Sequence, residues 1–187
     1  MNLRFVEKRT MMCAEDMSWA LRRIAHQIIE DNPRLKGICV IGIRERGDIL
    51  AERIAKILGD LTTWNIKVGV LDITLYRDDL TTYGPKPIIG TTNFPCPIDE
   101  LHVLLVDDVI HTGRTIRAAL DEIMDYGRPS SVKLAVMVNR SGRELPIMPD
   151  YYGTSIDLAE GEEVRVNLKE TDGQDSVKII EVEREIG

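Results

Sequence analysis

VLLVDDVIHTGRT, residues 103–115, joins an apolar run, two acids and a turn that opens a helix. VLLV at 103–106 is apolar at every position, as a strand covered on both faces must be. Asp107 and Asp108 follow at its carboxyl end, where open parallel sheets bind ligands. The turn His111-Thr112-Gly113-Arg114-Thr115 comes next. A turn running into a helix aims several N–H groups at one point, with the positive end of the helix dipole behind them. That arrangement suits a phosphate. Gly113 lets the backbone come close, and Thr112 and Thr115 add hydroxyl donors. Two carboxylates aimed at a phosphate would repel it. They make sense if they accept hydrogen bonds from vicinal hydroxyls further along the same ligand. Diol and phosphate together describe a ribose 5-phosphate. Taken singly, each residue has an ordinary reading, because threonine is a common N-cap and acids are common at strand ends. The joined pattern favours the ligand site. Two other phosphate motifs fail. Gly42 and Gly47 are spaced as in a P-loop but lack the Lys-Ser/Thr ending, and no G-x-G-x-x-G follows a strand.

Working outward, Met17, Ala20, Leu21, Ile24, Ala25, Ile28 and Ile29 keep three-and-four spacing, which predicts an amphipathic helix over Ala14–Asp31. Asn32-Pro33 stops it. GICVIGI at Gly37–Ile43 has the length and apolar character of a strand. A helix over 47–58 follows, with Ile49, Leu50, Ile54, Ile57 and Leu58 inward. Strands are expected at 68–75, 103–106 and 132–138, and a helix at 112–126. This alternation implies an α/β chain with a parallel sheet flanked by helices. Residues 76–100 are rich in Pro, Gly and Thr and read as a long functional or flexible loop. Near the C-terminus, 163–169 and 176–183 alternate apolar and polar residues around Asp172-Gly173. They predict a β-hairpin, added to the sheet edge or placed as a flap near the site.

The 187 residues suit one domain, and 43% hydrophobic with 29% charged residues is ordinary for a soluble globular chain. No apolar run reaches the length of about 18 that a membrane span needs. Charges interrupt the N-terminal stretch where a signal peptide requires an apolar core, so a cytoplasmic protein is expected. Cys13, Cys39 and Cys96 form no CxxC pair, which argues against zinc and a disulfide framework and makes Cys39 a core hydrophobe. A net charge of −7 gives no overall field for nucleic acid, and DNA is not an expected partner. It says nothing against a local basic patch.

VLLVDDVIHTGRT closely resembles the phosphoribosyl diphosphate (PRPP) signature of type I phosphoribosyltransferases. Further segments resemble one branch, the PyrR family of pyrimidine attenuation regulators that also have uracil phosphoribosyltransferase activity. They are LRRIAHQIIE at 21–30, VIGIRERG at 40–47, DITLYRDDL at 72–80, GRPSSVKLAVMVNRSGRELPI at 127–147, and Asp150-Tyr151. The likeness runs from about Ser18 to Leu168. The signature identifies the superfamily, while DITLYRDDL and RELPI carry the branch.

The resemblance implies a type I phosphoribosyltransferase-like sheet with a hood and a C-terminal β-hairpin. Asp107 and Asp108 would bind the ribose hydroxyls, and His111, Thr112, Gly113, Arg114 and Thr115 the 5-phosphate. Arg44, Glu45, Arg46 and Gly47 match the pyrophosphate loop, which in this family often holds a non-proline cis peptide. Tyr76 and Arg77 belong to the loop that closes over PRPP, and Arg77 joins the two aspartates as a catalytic candidate. The hood, about 138–160, would recognise the base through Val138, Asn139, Arg140, Gly142, Arg143, Glu144 and Leu145. Backbone groups of 142–145 are expected to match the edge of uracil. Asn139 stands where an aspartate is expected, and Gly142 where a larger polar residue such as histidine is expected. Mg²⁺ would ride on the diphosphate without direct protein ligands.

The resemblance further implies UMP or UTP as effectors, a leader RNA of the pyrimidine operon as partner, and a homodimer or higher homo-oligomer. Arg22, Arg23, His26, Arg140 and Arg143 are the RNA candidates. Asp31, Met148 and Thr154 are acidic or neutral where more positive charge is expected. The plainer readings are a surface or interface role for His26 and a solvated helix face for Arg22 and Arg23. His111 is expected to act through backbone and not as a base, and Trp19 and Trp64 to lie in the core or an interface. Three alternatives stand beside the bifunctional reading. They are a phosphoribosyltransferase without an RNA role, a nucleotide-sensing RNA regulator with little turnover, and a purine-type enzyme, against which RELPI argues.

Overall fold

The computed structural model describes residues 3–73 and 92–184. In chain order the elements are β1 (Leu3–Met12), α1 (Ala14–Asp31), β2 (Gly37–Ile43), α2 (Gly47–Leu61), β3 (Asn65–Leu71) and β4 (His102–Ile110). Then come α3 (Arg114–Tyr126), β5 (Ser131–Arg140), β6 (Tyr151–Ile156), β7 (Glu162–Asn167), α4 (Lys169–Asp172) and β8 (Ser176–Arg184). Five strands form a parallel sheet in the order β3-β2-β4-β5-β6.

Alternation along the central strands sends side chains into two separate cores. Ile38, Val40, Leu104 and Val106 face α1 and α2, while Cys39, Ile41, Val103 and Leu105 face α3 with Ile116, Ala119 and Ile123. This is why VLLV is apolar throughout. The first helix has the expected bounds and buries Met17, Ala20, Leu21, Ile24, Ala25 and Ile28. Asp16 accepts from the Cys13 N–H at 2.9 Å at its start, and Asn32 Nδ2 donates to the Ile28 carbonyl at 2.8 Å at its end.

The C-terminal hairpin forms, but not at the edge of the parallel sheet. β7 and β8 pair antiparallel and join β1 in a separate three-stranded sheet of order β1-β8-β7. Val166, Leu168, Val177 and Ile179 press that sheet into the core formed with α1 and α2. The connection includes the short α4 and Gly173 in the left-handed region (φ 81°).

β1 escapes the sequence reading because register shifts between Glu7 and Arg9 and between Thr10 and Met12 blur its period of two. β6 is likewise an unexpected strand at the rim of the hood. β3 ends at Leu71, earlier than the expected 75, and β4 runs past both acids to Ile110. Tyr76 and Arg77 lie outside the described residues, as does most of the long loop. Its far stem is held by the antiparallel bridge Val70–Asn93, and Thr92 Oγ1 accepts from the Asp72 N–H at 3.0 Å and donates to Glu122 at 2.6 Å. Among the described residues no helix is long and apolar enough to cross a membrane.

Candidate active site

The two acids occupy a half-open strand end. β4 pairs with β2 only as far as Gly42–Val106, yet with β5 as far as Ile110–Asn139. At Asp107 the pairing with β2 has therefore ended, although β2 itself runs on to Ile43 beside β3, and the loop 44–47 folds against the strand there. Two glycines make that contact. A Cβ on Gly47 would lie 2.5 Å from the Val106 carbonyl oxygen, and one on Gly42 would lie 2.3 Å from Asp48 Cα. The P-loop-like spacing noted in the sequence thus reflects close backbone approach. The Arg44–Glu45 peptide is cis, and Arg46 caps α2 with φ 71°.

Asp107 is 5% exposed, and its Oδ1 accepts from the Asp108 N–H at 2.9 Å. Asp108 Oδ1 accepts from the Val109 N–H at 2.8 Å. Burial and then the charge of Asp108 hold the Asp107 carboxyl well above the usual carboxylate range. Burial also raises Asp108, opposed by the Val109 N–H and by the charge of Arg46. We assign the larger rise to Asp107, because it is enclosed and Asp108 has the cation. Charge of this kind is costly to keep from water and recurs at functional sites.

The phosphate turn and the hood interlock. Gly113 caps α3 with φ 93°, and a Cβ there would touch Leu145 Cβ at 3.4 Å. The Thr112 carbonyl accepts from the Glu144 and Leu145 N–H groups at 3.0 and 3.1 Å. Those two N–H groups are consequently turned to the phosphate turn, not to a base edge as the sequence reading expected. Arg143 donates to the Ile147 and Arg140 carbonyls, each at 2.9 Å, and to the His111 carbonyl and Asn139 Oδ1. Its guanidinium is committed within the hood, which weighs against presenting it to RNA. Arg114 and Glu144 form an ion pair at 2.7 Å. A Cβ on Gly142 (φ 100°) would lie 2.7 Å from His111 Nε2, so the imidazole fills the space where a side chain was expected. Burial, then Arg140 and Arg143, lower the His111 pKa, which favours the neutral ring.

Val138 is fully buried, while Asn139 Nδ2 also reaches Ser155 Oγ at 3.3 Å. Asn139, Arg140, Gly142, Arg143, Met148 and Ser155 help line a cavity of about 300 Å³ in the hood. Arg22 and His26 are exposed on α1, whereas Arg23 donates to the Gly153 carbonyl and so joins α1 to β6. Trp19 is 63% exposed and is therefore not a core residue, while Trp64 packs against the α1/α2 core. Sequence reasoning missed two contacts, Arg46–Asp172 at the loop 44–47 and Thr92–Glu122 at the stem of the long loop. Each joins residues far apart in the chain, and no local pattern announces either.

The raised Asp107 pKa fixes a sign for stability. The folded protein holds this proton to higher pH than the unfolded chain, so stability is lost as pH rises from the ordinary carboxylate range through the folded value. Asp107→Asn cannot ionise and keeps an oxygen for the Asp108 N–H. Its melting temperature should exceed that of wild type at about pH 8, with the gap narrowing towards about pH 5. Calorimetric melts across that range check this, and a variant less stable at every pH would contradict it.

Comparison with known proteins gives the family and the fold. The model of the phosphoribosyl transferase domain matches residues 14–171. The "Bifunctional protein PyrR" of Deinococcus deserti is 49% identical over 176 residues, covering 94% of this chain and 96% of the relative. That of Pelotomaculum thermopropionicum is 48% identical, with 94% and 97% covered. Among solved structures, the hypoxanthine phosphoribosyltransferase of Trypanosoma cruzi superposes with a TM-score of 0.71 at 17% identity, covering 95% of this chain and 98% of that one. The enzyme of Leishmania tarentolae gives 0.72 at 18%, with 96% and 99% covered, and these two likenesses speak to the fold. The chain belongs to the phosphoribosyltransferases and, among them, to the PyrR family.

Proposed function

We propose that this chain converts uracil and PRPP to UMP and diphosphate, and that it is also a UMP-responsive RNA-binding regulator of pyrimidine genes by transcription attenuation. The observation that carries the enzymatic half is the pair of buried Asp107 and half-buried Asp108 lying between the loop 44–47 and the turn 111–115. A ribose diol meets the carboxylates there while its 5-phosphate meets the start of α3. The bond from the ribose anomeric carbon to the diphosphate oxygen breaks, uracil N1 bonds to that carbon, and the N1 proton passes to the departing diphosphate. The ribosyl transition state carries positive charge, and carboxylates beside it favour that charge over neutral ground states.

The diphosphate leaves towards Arg44, Glu45, Arg46 and Gly47. Arg46 Nε is buried without a partner among the described residues, which suits an incoming phosphate oxygen. The hard oxygens of this site also suit magnesium on the diphosphate, where the ion offsets leaving-group charge. Tyr76 and Arg77 are assigned to closure over PRPP by resemblance. The hood takes uracil in the cavity that Asn139 helps line, where Arg143 and Ser155 hold the Asn139 amide. RELPI at 143–147 favours the pyrimidine over the purine reading. Substrates and partner of this kind place the protein in the cytoplasm, and exposed Trp19 suits a homo-oligomer contact.

The regulatory half rests on family membership and on exposed Arg22 and His26 of α1, which α1 holds beside β6 through Arg23. In the enzymatic test, Asp107→Asn with Asp108→Asn should abolish conversion of uracil with PRPP while the circular dichroism of the fold survives. Turnover near wild type in that double variant sinks the assigned roles. For the regulatory half, UMP should tighten binding of the pyrimidine-operon leader RNA. Arg22→Ala should weaken it and reduce the logarithmic salt slope by about one. An unchanged slope removes Arg22 from the interface, and no salt-dependent shift with or without UMP ends the regulator reading.

A further inference from the structure

The loop 44–47 is held from the far end of the chain. Arg46 Nη2 donates to Asp172 Oδ1 at 3.0 Å and to Oδ2 at 3.4 Å, across a separation of 126 residues. Both partners are about three-quarters buried, at 27% and 25% side-chain exposure, so the pair is better shielded than a surface bridge. Asp172 is itself fixed. Its Oδ2 accepts from the Leu168 N–H and the Thr171 hydroxyl, both at 2.9 Å. The turn that bears it is fastened to α2 by a second arginine. Arg53 donates to Asp175 at 2.9 and 2.8 Å and to Glu170 at 3.1 and 2.5 Å. Leu168, fully buried, roots the turn in the core.

Arg46 therefore stands between two acids. Asp172 holds the guanidinium from outside, and the charge of Arg46 reaches Asp108 on the inside. With Nη2 committed to Asp172, Nε remains without a partner and buried in the loop. A long, rotatable side chain aimed in advance loses less freedom when an anion arrives. We propose that Asp172 is a positioning residue for the diphosphate group, acting through Arg46. Asp172 does not touch the reacting atoms. This rests on the reading of 44–47 as the diphosphate loop, and it gives the C-terminal hairpin a role in the site although it lies in a separate sheet.

The test is calorimetric titration of the full-length protein with magnesium diphosphate and, separately, with UMP, which has no diphosphate to place in the loop. Asp172→Asn keeps an oxygen for Leu168 and Thr171 but lacks the charge. It should bind diphosphate about three- to tenfold more weakly, as expected for a partly shielded charge-assisted bond, with UMP affinity within about twofold. Asp172→Glu should recover part of the loss. Glu170→Gln removes a half-exposed acid from the same turn while Asp175 still holds Arg53 and Asp172 still holds Arg46, so it should bind both ligands as wild type does. Unchanged or tighter diphosphate binding by Asp172→Asn overturns the proposal. So does an equal loss in Glu170→Gln, because the contact is then merely structural. Wild type that binds UMP but not diphosphate overturns the loop assignment and this inference with it.

Discussion

Two acids on successive residues are held in from water where β4 runs on past its pairing with β2. Asp107 is enclosed and Asp108 largely so, and both carboxyls are pushed up by burial. A fold gains nothing in stability from such a pair. The backbone softens the cost by lending one N–H to each acid, from Asp108 and Val109, and Arg46 softens it further from the side. The two carboxyls also hydrogen-bond each other. An acid pair held in this way costs stability, and such groups recur at functional sites.

The surroundings follow from holding that pair in place. Gly42 and Gly47 let the loop fold onto Val106 with no room for a side chain. Gly113 turns β4 into α3, and the Thr112 carbonyl takes two N–H groups from the hood. Arg143 closes the join through carbonyls on both sides of it. The turn 111–115 and the segment 139–147 thereby become one unit. The small second sheet completes the frame by fastening its turn to α2 through Arg53 and to the loop through Arg46.

Much of this was legible in residues 103–115 and in α1. Apolar runs between helical periods marked the parallel sheet, and Asp107-Asp108 before a glycine turn marked where β4 gives way to α3. The failures have physical causes. β1 is bulged, so its alternation breaks. The hairpin lies in its own sheet because its apolar face, Val166, Val177 and Ile179, is covered by the helical core, and period alone cannot say which surface covers it. The N–H groups of Glu144 and Leu145 were expected at the base because a hood must read one, yet a carbonyl 32 residues or more earlier in the chain claims them. Arg46–Asp172 is of the same kind, a contact set by tertiary folding and silent in local sequence.

The diol is the decisive chemistry, because a phosphate-binding turn alone would accept many anions. UMP and its 2′,3′-dideoxy analogue share base, phosphate and charge and differ only in the hydroxyls. A site whose buried acceptors are matched to hydroxyls rejects a ligand lacking them far more strongly than an apolar pocket would. Titration calorimetry with the two nucleotides isolates that difference. If Asp107 and Asp108 read the ribose diol, the dideoxy analogue binds at least about a hundredfold more weakly than UMP. Equal affinities would show that the carboxylates do not face the sugar.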